Sequence, residues 1–324
     1  MLKRLGWEGV VVLMMVLLVQ GACASPSGAT RAPTPGTEAP GELLGPGIWE
    51  VATGRQLSEA ELVAELSGAR FVVAGESHDD DWHHEVQRRL YAGLSAQRPG
   101  QVALGVEMVE ARFQSALDAY LEGSQDEAAM LEGVGWEERW GMDWEMYAPM
   151  WRTAREYAQP VVGLNAPREL VRRVGRGGLE ALSEEERRGL PELDLSDAEY
   201  RAWLQAIFAA HGMGDDTQAL DRFFAAQVLW DETMAARAVE VMLASPELAQ
   251  MVLLVGRGHA ERGFGIPPRI ERRMTAAGEP AAVPVVIPVS AVGEEDAGQD
   301  EYRRLRYLQE KNIADFVWIE AGDA

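Results

Sequence analysis

One cysteine, Cys23, is too few for an internal disulfide or for a metal site built from several thiolates. Positive charge is also scarce, with 30 Lys and Arg against 52 Asp and Glu and a net charge of −22. Such a chain has little with which to neutralise a row of phosphates. Nucleic-acid binding is therefore excluded, and so is simple electrostatic attachment to anionic lipid. Lysine occurs only as Lys3 and Lys311, so nearly every cation is a guanidinium, a planar fork suited to carboxylates and phosphates. A local arginine cluster holding an anionic ligand is compatible with the overall acidity. Long apolar runs are missing too. Val10 to Val19 is an unbroken apolar stretch, but a bilayer span needs about 20 residues.

That short run follows Lys3 and Arg4 and precedes Gln20-Gly21-Ala22-Cys23. A basic start, a short apolar core and small residues before a Cys describe a signal peptide over 1–23. Cys23 would then be the acylated first residue of an exported lipoprotein; the alternative is an ordinary cleaved signal that leaves a free thiol. Residues 24–47 carry Pro26, Pro33, Pro35, Pro40 and Pro46 among small and polar residues and read as a tether. The remainder, 48–324, has the apolar content of a globular body, with 47% hydrophobic residues over the chain.

The body reads as α/β, a parallel-rich central sheet flanked by helices. Apolar runs predict strands at Arg70–Ala74, 100–106, 160–164, Met251–Val255, 283–289 and 315–319. Pro284 and Pro288 put the fifth of these at a sheet edge. Ser58/Glu61, Ser183/Glu186 and Ser196/Glu199 are capping-box spacings, and Asp79–Asp81 sit where a helix N-terminus favours negative charge. A helix is expected over about Glu110–Leu121. Trp136, Trp140 and Trp144 fall at four-residue spacing, one face of a helix expected to run on to Gln159. Residues 168–245 read as an all-helical subdomain inserted between the third and fourth strands. His211, inside it, reads as a surface residue.

Four of the strands end in polar residues: the first in Glu76 and His78, the second in Glu107, the third in Asn165 and the fourth in His259. In an open α/β sheet the carboxyl ends of the strands line the ligand crevice, so these residues should meet in one pocket. Two imidazoles and one or two carboxylates suit a divalent metal (Zn, Mn or Co) with an open position for water. His78, Glu107 and His259 would be the ligands and Glu76 a general base. Asp79, His83, His84, Asn165, Asp231 and Arg257 stand as supporting residues. Each also has a plainer reading, as a helix cap, a surface pair or a hydrogen-bonded structural group. The Trp/Met/Tyr stretch is most simply core. Its other reading is a face for a flat apolar ligand, with Tyr147 available to haem iron.

Gly75-Glu76-Ser77-His78-Asp79 with His83-His84, then Glu107-Met108, Tyr147-Ala148-Pro149 and Asn165-Ala166-Pro167, recur in order in one known family. So do Gln227 through Ala235 and Gly256-Arg257-Gly258-His259 with Gly263-Phe264-Gly265-Ile266-Pro267. The chain resembles the ChaN-type haem-binding uptake lipoproteins of the Tiki superfamily, distantly related to erythromycin esterases. The resemblance implies an α/β body with a helical subdomain, outer-membrane lipidation and haem binding linked to iron uptake, with a homodimer sandwiching haem. It implies a haem-ligating tyrosine, for which Tyr147 is the candidate and Tyr91 or Tyr120 the replacements. The wider superfamily implies metal-dependent hydrolysis, as a peptidase or esterase, at Glu76, His78, Glu107 and His259.

Overall fold

The computed structural model describes residues 43–210, 216–291 and 299–322. The signal peptide, Cys23, most of the tether and His211 lie outside the described residues. Leu43 and Leu44, expected in the tether, belong to the body: Leu44 is buried and its N–H donates to the Arg303 carbonyl oxygen at 2.7 Å.

Eight strands form one sheet. They are β1 (Gly47–Glu50), β2 (Arg55–Leu57), β3 (Phe71–Glu76), β4 (Val102–Glu110), β5 (Val161–Asn165), β6 (Gln250–Gly256), β7 (Val285–Val289) and β8 (Phe316–Ile319). Their spatial order is β2-β1-β8-β7-β3-β6-β4-β5. The six from β8 to β5 run parallel, and β1 and β2 add an antiparallel hairpin at one edge. That hairpin was not expected from the sequence; its turn carries Gly54 at φ +70, next to Thr53. β3, β4, β5 and β6 are buried along their whole length, which is why their sequences are continuous apolar runs rather than alternating ones.

The helices are α1 (Glu59–Leu66), α2 (Asp81–Gln97), α3 (Gln114–Leu121), α4 (Glu127–Val134), α5 (Trp136–Arg139) and α6 (Trp144–Glu156). After β5 come α7 (Arg168–Gly177), α8 (Glu184–Arg188), α9 (Ala198–Ala210) and α10 (Thr217–Ala244), then α11 (Ile266–Ala276) and α12 (Leu305–Glu310). Among its described residues, the segment between β5 and β6 contains helices and no strand. β3 shows the layering: Val72 and Ala74 pack with Val86, Leu90 and Leu94 of α2, while Phe71 and Val73 pack with Met234, Ala238 and Met242 of α10. Helices cover both faces. No helix among the described residues is long and apolar enough to cross a membrane.

Several local expectations hold and four do not. Ser58/Glu61 and Ser183/Glu186 form their capping boxes, and Asp80 caps α2 by accepting from the N–H groups of Trp82 and His83. Ser196/Glu199 does not form one: Asp197 accepts from the Tyr200 N–H instead, and the Ser196 hydroxyl donates to Asp194. The helix expected from Glu110 starts at Gln114, because β4 continues through a bulge to Glu110. The Trp136–Gln159 helix is broken at Gly141 (φ +77), and Asp143 caps a fresh start. Trp136 and Trp144 therefore meet edge to face at 4.9 Å instead of lining one helix. β7 is an interior strand between β3 and β8. The Val285 and Val289 carbonyls face β8, so Pro288, one residue out of phase, turns its missing N–H toward β3. There β3 pairing has already stopped at Val286, and no ladder bond is lost.

The other edge of the sheet is β5. Gln114 of α3 closes it, donating to the Val161 carbonyl at 2.8 Å and accepting from the Gly163 N–H at 3.0 Å. A side chain that mimics a strand on both sides hides an edge that would otherwise template aggregation.

Candidate functional site

β3 is the switch point of the sheet. The chain leaves it for β4 and β5 on one side and, by way of β6, reaches β7 on the other. The carboxyl ends of β3, β4 and β5 open together onto a cleft that encloses about 100 Å³ and is open to solvent at its mouth. That is below the roughly 300–1,000 Å³ of small-molecule and cofactor sites, so a larger ligand would have to project through the open mouth. His78, Glu107 and Asn165 line it. Met108, Trp140, Met142, Ala166, Val171 and Trp230 supply apolar wall, and Glu110, Arg139, Arg168 and Arg172 the polar rim.

The β3 end builds one half of the floor. Glu76 is fully buried and its Oε1 accepts from His78 Nδ1 at 2.6 Å. Its Oε2 lies 3.0 Å from His84 Nδ1. His84 has an acceptor on both edges, because its Nε2 donates to the His78 carbonyl at 3.2 Å. Burial opposes charge on both groups, but their mutual attraction outweighs it. The Glu76 carboxyl is held well below the usual carboxylate range and His84 is raised above the ordinary imidazole value. His83 behaves in the opposite way. Its Nδ1 accepts from the Ser77 N–H at 2.8 Å, and burial, with the Arg257 charge nearby, pushes it down to about 4. It secures the turn between β3 and α2. Asp79 is exposed on that turn.

The β4 and β6 ends build the other half. Glu107 Oε2 accepts from the Gly256 N–H at 2.7 Å, and its Oε1 lies 3.5 Å from His259 Nε2. His259 Nδ1 meets Asp231 Oδ1 at 2.6 Å, with the Gln227 amide 3.1 Å from the same nitrogen. Asp231 in turn accepts from the Tyr200 hydroxyl at 2.7 Å. Burial disfavours the imidazolium of His259, yet Glu107 and Asp231 on opposite edges raise it above its ordinary value. Asn165 Nδ2 donates to the Glu107 carbonyl at 2.7 Å and its Oδ1 accepts from the Trp230 indole. Arg257 turns away, stacking over Tyr302 at 4.1 Å and pairing with Glu261 at 3.3 Å.

The strand ends therefore converge: Glu107 shares the cleft wall with His78 and contacts His259. The expected metal site does not follow. Among the described residues no group of three or more His, Cys, Asp or Glu side chains is arranged to hold a metal ion. The physical reason is that the donors face one another: His259 lies between Asp231 at 2.6 Å and Glu107 at 3.5 Å, and Glu76 and Glu107 are each committed to internal donors. Tyr147 is fully buried, its hydroxyl donating at 3.3 Å to Glu76 and to the His78 carbonyl. Burial and the Glu76 charge drive its ionisation far upward, so it is a neutral phenol supporting the floor.

Sequence reasoning missed Trp230 and the arginines Arg139, Arg168 and Arg172. The signal for two of them was present. Arg168 and Arg172 stand four apart in the helix that follows β5, the spacing of one helix face.

The family model described as haem-binding uptake, Tiki superfamily, ChaN matches residues 62–270. A solved structure, reported as cofacial heme binding to ChaN of Campylobacter jejuni, superposes with a TM-score of 0.64 at 19% identity. The alignment covers 85% of this chain and 96% of that one. An erythromycin esterase mutant in its open conformation superposes with a TM-score of 0.43 at 15% identity, over 76% of each chain. Among curated proteins, the chloroplastic protein RETICULATA-RELATED 5 of Arabidopsis thaliana is 24% identical over 273 residues. The match takes in 79% of this chain but spans only 35% of that protein's length.

Proposed function

Because the chain belongs to the haem-binding uptake family ChaN of the Tiki superfamily, we propose that its cleft at the strand ends is the haem site, with His78 facing the iron. The observation that carries this reading is the His78–Glu76 pair beside an open cleft walled by Trp140, Trp230, Met108 and Met142. The 2.6 Å contact ties Nδ1 to a buried carboxylate and leaves the other ring nitrogen as the metal-facing one. A metal-binding histidine whose far nitrogen donates to a carboxylate is fixed in tautomer and made a stronger donor. Trp140, Met142, Trp230 and Met108 suit the faces of a flat apolar ring. Tyr147, through Glu76 and the His78 carbonyl, then acts as a positioning residue instead of a ligand.

Haem, when bound, would supply the iron and the chromophore; the protein supplies an apolar wall and the His78 imidazole. In this reading the chain is an exported haem-uptake protein anchored through Cys23. Titrating hemin into the body from residue 43 should shift the Soret band and saturate near one haem per chain. His78→Ala should weaken binding roughly tenfold and alter the band position, while Tyr147→Phe leaves the position unchanged. A Soret band that stays where free hemin has it would overturn the proposal. The donor set does not support the metal-dependent hydrolase alternative, because among the described residues these side chains face one another and form no group arranged for a metal.

A further inference from the structure

The charges at the mouth of the cleft do not cancel. Arg112 and Arg139 share Glu110 and Glu169 in a ring of four ion pairs between 2.5 and 3.1 Å, two charges of each sign. Arg168 and Arg172 are left over. They stand one turn apart on α7 and reach the same wall of the cleft as Val171. Arg168 donates to the Glu138 carbonyl oxygen, which fixes the guanidinium without neutralising it. The Nε of Arg172 is buried and has no hydrogen-bond partner. Among the described residues no carboxylate pairs with either side chain. Arg168 is accordingly held below the ordinary arginine value by burial and by its neighbours Arg172 and Arg139.

In a chain with a net charge of −22, acidic partners are abundant, and the third arginine of the cleft, Arg139, has two. Two forks left unpaired against an apolar wall are complementary to something that brings its own negative charge and a flat greasy body. The wall is too narrow in its polar part for a polyanion, since only this pair is free and Glu110 and Glu169 stand beside it.

We infer that Arg168 and Arg172 form a carboxylate clamp that orients a flat tetrapyrrole dicarboxylate, so that recognition rests on its acid edge and apolar faces. Metal-free porphyrin is then a ligand as well as its iron complex. This rests on the haem reading of the same cleft and adds to it the substrate class and the residues that select it.

The test compares protoporphyrin IX with its dimethyl ester, and hemin in parallel, on the intact chain. Protoporphyrin IX should bind, followed by its fluorescence, and the diester should bind at least roughly tenfold more weakly, as loss of a charge-assisted pair requires. Arg168→Gln/Arg172→Gln should bind acid and ester alike, and Arg172→Lys, which keeps charge but loses the fork, should recover part of the difference. In the double variant the hemin Soret shift should persist at higher hemin concentration, which also reports a folded cleft. If wild type binds acid and ester equally, or the double variant still separates them, the clamp is wrong while the haem site stands. If hemin gives no Soret shift and porphyrin does not bind, both readings fall together.

Discussion

Around Glu76 and Glu107, His84 and His259 are pushed toward the charged form and His83 toward the neutral one, and this sets how stability depends on pH. His84 and His259 have folded-state values raised above 6.5. Their contribution is complete below the unfolded value and is lost as pH rises through the folded one. His83, pushed down to about 4, contributes above 6.5 and loses its contribution as pH falls toward 4. Glu76 is depressed, so its share is present above its unfolded value near 4.5 and disappears on further acidification. Thermal stability should peak around pH 6.5 and decline on both sides. Melting curves between pH 3 and 9 check this, and His259→Gln should flatten the alkaline limb while sparing the acid one. A Tm that climbs steadily from 6.5 to 9 would contradict it.

Among the elements, the turn from His259 into α11 has the least tolerance. Gly265 sits at φ +67 and ψ −131, and a Cβ there would lie 2.3 Å from the His259 carbonyl oxygen. Neither atom belongs to a flexible side chain, so the backbone carrying His259 would have to move. Gly265→Ala should cost roughly 3 kcal/mol or more and disturb His259, whereas Gly68→Ala, with nothing within 4 Å, should be near neutral. Chemical denaturation of the two variants measures the contrast. Elements of this kind also mark what the sequence could disclose. Buried strands were legible because their apolar runs are unbroken, and the polar residue after each strand pointed to the shared crevice. The direction in which Pro288 turns its nitrogen depends on register with β3 and β8, which no run of residues contains. The tryptophan spacing suggested one helix because periodicity does not see Gly141 at positive φ. The pairing that spoils the metal site depends on Asp231 and Glu107 reaching His259 from different elements. Spacing cannot supply that distance.

For the whole molecule, the surplus of negative charge repels an anionic leaflet, so in the proposed reading membrane residence would rest on the Cys23 anchor. Cell fractionation should find the full chain with membranes and the Cys23→Ala chain in the soluble fraction. Membrane association that survives the substitution would refute the anchored reading. The order of the sheet has a temporal consequence as well. The neighbours of β3 are β6 and β7, both encoded after residue 249. A chain emerging N-terminus first therefore carries its middle strand with neither side protected while about 170 further residues appear. At typical synthesis rates of about 5–20 residues per second that lasts roughly 10 to 35 s. During that interval a holding chaperone would find an unbroken apolar strand to grip, and it would lose that grip when Gln250 to Gly256 slide in beside it.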